Sequence, residues 1–88
     1  MNHIKKITFL EIKKTLIEKN IFVESEIEDS EIFEGINSIL NANSNEITFL
    51  NNDNQNNGID KSLAKACIVN KKNKKLLPKN CKLILVDD

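Results

Sequence analysis

The chain contains no arginine, a single histidine, and no apolar run long enough to cross a bilayer. Each absence closes off a class of function. Without arginine there is no planar guanidinium fork to grip phosphate or carboxylate in two places, and every basic side chain other than His3 is a lysine point charge. His3 lies near an end of the chain, where backbone tends to fray, and makes a poor catalytic base. A membrane-spanning helix needs roughly 20 mostly apolar residues. The basic residues Lys5 and Lys6 are followed by Glu11, Lys13 and Lys14, not by the apolar core of a secretory signal. Formal net charge is zero, which argues against general attraction to nucleic acid.

The familiar chemical motifs are missing too. There is no GxSxG, Walker A, GxGxxG, HExxH or zinc-ligand spacing. Cys67 and Cys81 are the only cysteines and form no CxxC pair. Cys67 sits in Ala66-Cys67-Ile68-Val69 and Cys81 precedes Leu83-Ile84-Leu85, so both are expected as buried, reduced thiols of a cytoplasmic protein. No catalytic residue, metal or cofactor is expected from the residues alone.

What is present reads as one small domain over 1–88, with 40% apolar residues and a mean hydropathy of -0.36. A chain this short buries about 60–65% of its unfolded surface, enough for one modest core. Residues 8–19 read as an amphipathic helix. Thr8 and Glu11 have capping-box spacing, Phe9, Ile12, Leu16 and Ile17 recur on one face, and Asn20 is a reasonable stop. Ile21-Phe22-Val23 leads into an acidic stretch, Glu24 to Glu34, which suits an edge strand or a solvated loop. Ile32 and Phe33 suit a strand start, with Gly35 allowing a bulge. Residues 59–65 suit a short helix with Leu63 and Ala64 facing inward. Ala66 to Val69 and Lys82 to Val86 read as strands, and the lysine-rich segment around 71–79 reads as a solvated turn. The fold class expected is therefore α/β (α+β), with a small mixed sheet of four to five strands, an N-terminal helix and a short second helix.

The clearest strand signal in the middle of the chain is Glu46-Ile47-Thr48-Phe49-Leu50, running into the polar segment 51–57. An aromatic ring beside side-chain amides at a strand end suits a flat, hydrogen-bonding ligand. The same pattern also suits an ordinary strand followed by a loop, and asparagine is abundant throughout the sequence.

Several segments fall in a recognisable order: Ile32-Phe33-Glu34-Gly35-Ile36, Leu40-Asn41-Ala42, Glu46 to Leu50 with Asn52, Ala64 with Ala66-Cys67-Ile68-Val69, Leu77-Pro78, and Leu83 to Asp88. Together they resemble the N-terminal, non-repeat domain of UDP-3-O-acylglucosamine N-acyltransferase, an enzyme of lipid A biosynthesis in Gram-negative bacteria. The helix at 8–19 fits less specifically. The resemblance implies a domain that contributes to the uridine pocket for a UDP-acylglucosamine-type nucleotide sugar. Phe49 matches an aromatic that packs on uracil, and Asn52 matches an amide that hydrogen-bonds the uracil edge. Gln55 stands where the family usually carries a second aromatic. Acyl transfer, its catalytic histidine, the encounter with acyl carrier protein and the family's trimer belong to a following β-helix of hexapeptide repeats, which is expected to be absent from this chain; a monomer is expected. Two other readings stay open: a stand-alone, non-catalytic interaction module of the same ancestry, and the N-terminal domain of a Mur-type ligase.

Overall fold

The computed structural model describes residues 6–50 and 61–87. Strand β1 (Ile7–Thr8) leads into helix α1 (Phe9–Glu18), followed by β2 (Phe22–Ser25), β3 (Ile32–Phe33), β4 (Gly35–Ile36), β5 (Glu46–Leu50), β6 (Ala66–Asn70) and β7 (Lys82–Val86). β1 and β3 pair as a small antiparallel ribbon. The remaining five strands form a mixed sheet in the order β2-β7-β6-β5-β4. β4 to β7 are parallel, and β2 closes one edge antiparallel to β7. This is the α/β arrangement expected from the sequence.

Helix α1 begins where its capping box places it. The Glu11 N–H donates to Thr8 Oγ1 at 3.3 Å, and the Thr8 N–H donates to Glu11 Oε1 at 3.1 Å. These bonds satisfy backbone donors that the first helical turn leaves open. At the other end Asn20 takes the left-handed conformation, with φ 60. The Asn20 N–H donates to the Ile17 carbonyl at 2.9 Å and the Ile21 N–H to the Leu16 carbonyl at 3.1 Å, a Schellman ending that asparagine tolerates better than most residues. Phe9, Ile12 and Leu16 are buried, but Ile17, expected on the same face, is exposed. Its position on the far side of the apolar stripe accounts for this.

The parallel strands bury side chains on both faces, as parallel sheets generally must. On one face Ile47, Ala66, Ile84 and Val86 pack with Phe9, Ile12 and Leu16 of α1 and with Phe33. On the other, Leu50, Cys67 and Val69 pack against residues from the connections: Ala42 with Ile39, Ala64, and Cys81 with Leu77. The connections thus do on this face what helices commonly do in larger parallel folds.

That arrangement corrects two expectations. Residues 62–65 are not helical. Leu63 points outward while Ala64 is completely buried, because an extended segment alternates its side chains. Lys61 is in 3-10 conformation, a further 3-10 turn falls at Lys74–Leu76, and residues 59 and 60 lie outside the described residues. The expected strand from Ile32 is divided: Ile32–Phe33 pairs with β1, and Gly35–Ile36 turns to pair with β5. The acidic region does contain an edge strand, β2, with a register shift between Phe22 and Glu24. Bulges and charges on edge strands discourage pairing with other chains.

Gly35 permits the turn from one sheet to the other. Its φ of 153 lies where L side chains rarely go, while an added Cβ would meet only Glu46 Oε2 at an ordinary 3.7 Å. The Gly35→Ala variant should therefore lose stability through backbone strain, by about 1–3 kcal/mol in urea unfolding. A change within about 0.5 kcal/mol would show that the backbone relaxes freely. Thr48 offers the opposite test. Its Oγ1 is buried with no hydrogen-bond partner, and Thr48→Val should raise stability by about 1 kcal/mol by removing a desolvated hydroxyl. Destabilisation in the same titration would contradict that account.

Candidate functional site

Phe49 is on the α1 side of the sheet, one pleat beyond the buried Ile47, and beside Ile68 in the parallel register. Ile47 is covered, yet Phe49 is 40% exposed. The sheet topology explains the difference. β4 pairs only with Glu46 and Ile47, and its last rung is the Asn37 N–H donating to the Ile47 carbonyl at 2.9 Å. Beyond that rung no described strand lies alongside β5 on the β4 side. Phe49 therefore stands near the carboxyl end of a parallel strand, the end at which open α/β sheets commonly bind ligands. Asn52 and Gln55, the other two candidate residues, lie outside the described residues, as does His3.

Ile68 also lines an apolar cavity of about 330 Å³ between α1 and the sheet, with Ile7, Ile12, Leu16 and Ile36. Its polar contributors are already engaged. The Glu11 carboxylate is held by the capping box, and the Thr15 hydroxyl donates to the Glu11 carbonyl at 3.1 Å. The hydrogen-bonding groups needed to fix a polar ligand must come from elsewhere.

A second cavity, of about 630 Å³, lies near the start of β7. Lys74, Lys79 and Lys82 line it, but so do Glu24 and Glu26. The mixed charge gives no concentrated positive site for phosphate. Lys71, Lys74, Lys75 and Lys79 are exposed, in keeping with the solvated turn read from the sequence. Among the described residues no group of three or more His, Cys, Asp or Glu side chains is placed to hold a metal ion.

The strongest polar cluster is one that spacing along the chain does not reveal. Glu31 forms an ion pair with Lys65 and a longer one, at 3.6 Å, with Lys82. Lys65 Nζ also donates to the Ile32 carbonyl at 3.1 Å and lies 5.3 Å from the centroid of the Phe33 ring. Lys65 immediately precedes β6 and Lys82 opens β7, so the cluster straps the segment before β3 to the amino ends of two central strands. Asp29 makes a comparable link to α1 through Lys13 at 2.5 Å. The acidic stretch is therefore partly a set of ties across the fold.

These features describe a small α/β domain with an exposed aromatic at the carboxyl end of a parallel strand and no described catalytic group beside it. Comparison with known proteins supplies the class, an N-acyltransferase lineage of lipid A biosynthesis. The family model for UDP-3-O-(3-hydroxymyristoyl) glucosamine N-acyltransferase, LpxD, matches residues 32–88, and the chain belongs to this family. The match begins at Ile32, where the ordered resemblance in the sequence also begins. No match is found among curated proteins. Among the described residues no helix is long and apolar enough to cross a membrane.

Contact with Lys65, by hydrogen bond first and by charge with Lys82 in support, holds the Glu31 carboxyl below its ordinary range despite some opposition from desolvation. A depressed folded-state pKa adds stability that is present above the unfolded carboxyl value, about 4.3, and is lost as pH falls through the folded value. Wild-type protein should therefore lose stability more steeply than Glu31→Gln on acidification below about pH 4.5. Parallel denaturation midpoints for the two proteins would refute this cause.

Proposed function

We propose that residues 1–88 form a single domain that helps bind the uridine end of a UDP-linked acylglucosamine. Phe49 packs on the uracil face, and Asn52 bonds its edge. Uracil presents a flat π face and an edge of alternating acceptors and a donor; an aromatic ring answers the first and a carboxamide the second. The observation that carries this reading is the exposed Phe49 ring on a strand whose neighbouring β4 ends too early to cover it. Family membership supports the ligand class, because the family's description names a UDP-linked, acylated glucosamine.

On this reading the domain is a substrate-binding part of a cytoplasmic acyltransferase. Acyl transfer and the encounter with acyl carrier protein are assigned to a hexapeptide-repeat β-helix, which these 88 residues do not contain. The domain by itself is monomeric. Gln55 supplies an amide where the family usually supplies a ring, so stacking falls mainly to Phe49 and the affinity of the isolated domain is modest.

Titration with UDP-N-acetylglucosamine, followed by amide chemical shifts, is expected to move the resonances of Phe49 and Asn52 together. Phe49→Ala should weaken binding by about two- to tenfold, the loss of one aromatic contact worth about 0.5–1.5 kcal/mol. The absence of any shift up to about millimolar ligand, a binding free energy near 4 kcal/mol, would sink nucleotide binding by this domain and favour the interaction-module reading.

A further inference from the structure

The cavity between α1 and the sheet is a groove fitted to hydrocarbon. Ile7, Ile12, Leu16, Ile36 and Ile68 line it, and its two polar neighbours, Glu11 and Thr15, direct their hydrogen bonds into α1 and its cap. Ile12 and Leu16 are buried, so the inner wall is closed. Ile36 is 54% exposed, and Ile7 and Ile68 are half-buried, so the outer wall is not. The strand register explains this. Ile36 lies beside Ile47 and Ile68 beside Phe49, and residues paired in this way leave the sheet on the same face. Both isoleucines therefore flank β5 on its α1 side. β4 ends at Ile36, and the exposed Thr15 is too short and too polar to cover what remains. Apolar surface left open in this way marks a binding groove more often than a packing fault.

The groove's volume of about 330 Å³ is more than double that of an apolar cavity of about 150 Å³ that takes up benzene. It has room for an unbranched chain of about ten carbons. Ile68 connects it to the candidate nucleotide site, because Ile68 and Phe49 are lateral neighbours on adjoining strands, about 4.8 Å apart. The family's description names a glucosamine that carries both a UDP group and a hydroxymyristoyl chain. The two groups leave the sugar at different positions, and the flexible diphosphate lets the chain turn back over the domain.

We infer that the groove between α1 and the sheet is a subsite for the alkyl chain of an acylated sugar. The choice of that ligand rests on the uridine reading of Phe49 and on the family's description; the groove itself asks only for hydrocarbon. A chain lying in it displaces water from Ile36 and Ile68 and completes the apolar layer that the short β4 leaves unfinished.

Hexyl, octyl and decyl glucosides, neutral sugars with an alkyl chain, test this on the full chain below the concentrations at which they form micelles. The methyl groups of Ile7, Ile12, Ile36 and Ile68 are expected to shift saturably and to show nuclear Overhauser contacts to the alkyl protons. Affinity should rise about two- to fourfold for each methylene added. Thr15→Trp, at an exposed helix position, should fill the groove and remove the contacts, whereas Thr15→Ala should keep them. Ile36→Glu should weaken binding by about fivefold or more. The wild-type contacts stand even where a variant fails to fold. The inference is overturned by the absence of a saturable shift at these methyls, by equal shifts at the exposed Leu40 and Leu63, or by unchanged binding in both Thr15→Trp and Ile36→Glu. It is also overturned by groove shifts that follow protein concentration without glucoside, which would give the groove to a second copy of the chain. UDP-N-acetylglucosamine, which lacks the long chain, separates this inference from the uridine reading. If it moves Phe49 while the glucosides move no groove methyl, the groove assignment fails alone. If the glucosides move the groove methyls while it moves nothing, the uridine reading fails alone.

Discussion

Burial of a parallel sheet on both faces is the constraint on which the rest of this structure depends. Parallel strands expose apolar side chains above and below, and a chain of 88 residues has little material to cover them. A ten-residue helix, α1, covers one face. The other is covered by Ile39, Ala42, Ala64, Leu77 and Cys81, all from connections between strands. The small side chains Ala42 and Ala64 let backbone approach the sheet closely. The ion pairs from Asp29 and Glu31 fix how the segment after β2 crosses toward the sheet.

The same economy shapes the site. β4 contributes a short ladder and then turns away, leaving the next α1-side position of β5 open to solvent. Phe49 occupies that position. A longer β4 with a large apolar residue alongside would cover the ring and make it part of the core. An exposed aromatic thus follows from where a neighbouring strand stops, and its place near the carboxyl ends of parallel strands is one where α/β sheets tend to bind ligands. Family membership gives a chemical context to that opening.

The contrast between Cys67 and Cys81 has a related origin. Cys67 falls inside a strand and is sealed by neighbours on both sides; Cys81 falls just before β7, where the covering layer gives way to a cavity. Similar apolar sequence surroundings therefore produce two thiols with different access to water. Their separation along the chain conceals that the parallel register between β6 and β7 sets both in one cluster on the same face of the sheet.

Much of the local structure was legible in the sequence. Thr8, Glu11 and Asn20 mark the ends of α1 because caps are local chemistry, and Ile47 to Leu50, Ala66 to Val69 and Lys82 to Val86 read as strands from their side chains alone. The ordered segments from Ile32 onward carried the family resemblance. Ile17 and Leu63 were misplaced because the width of an apolar face, and whether a short segment coils or extends, depend on what packs against it. The role of Glu31 was hidden in an acidic run, since Lys65 and Lys82 reach it only across the fold. The sequence by itself determined which segments favour helix or strand. Only the tertiary structure decided that Phe49 is open while Ile47 is closed, and that Cys67 and Cys81 share one face of the core, because strand length, register and coverage arise between segments distant along the chain.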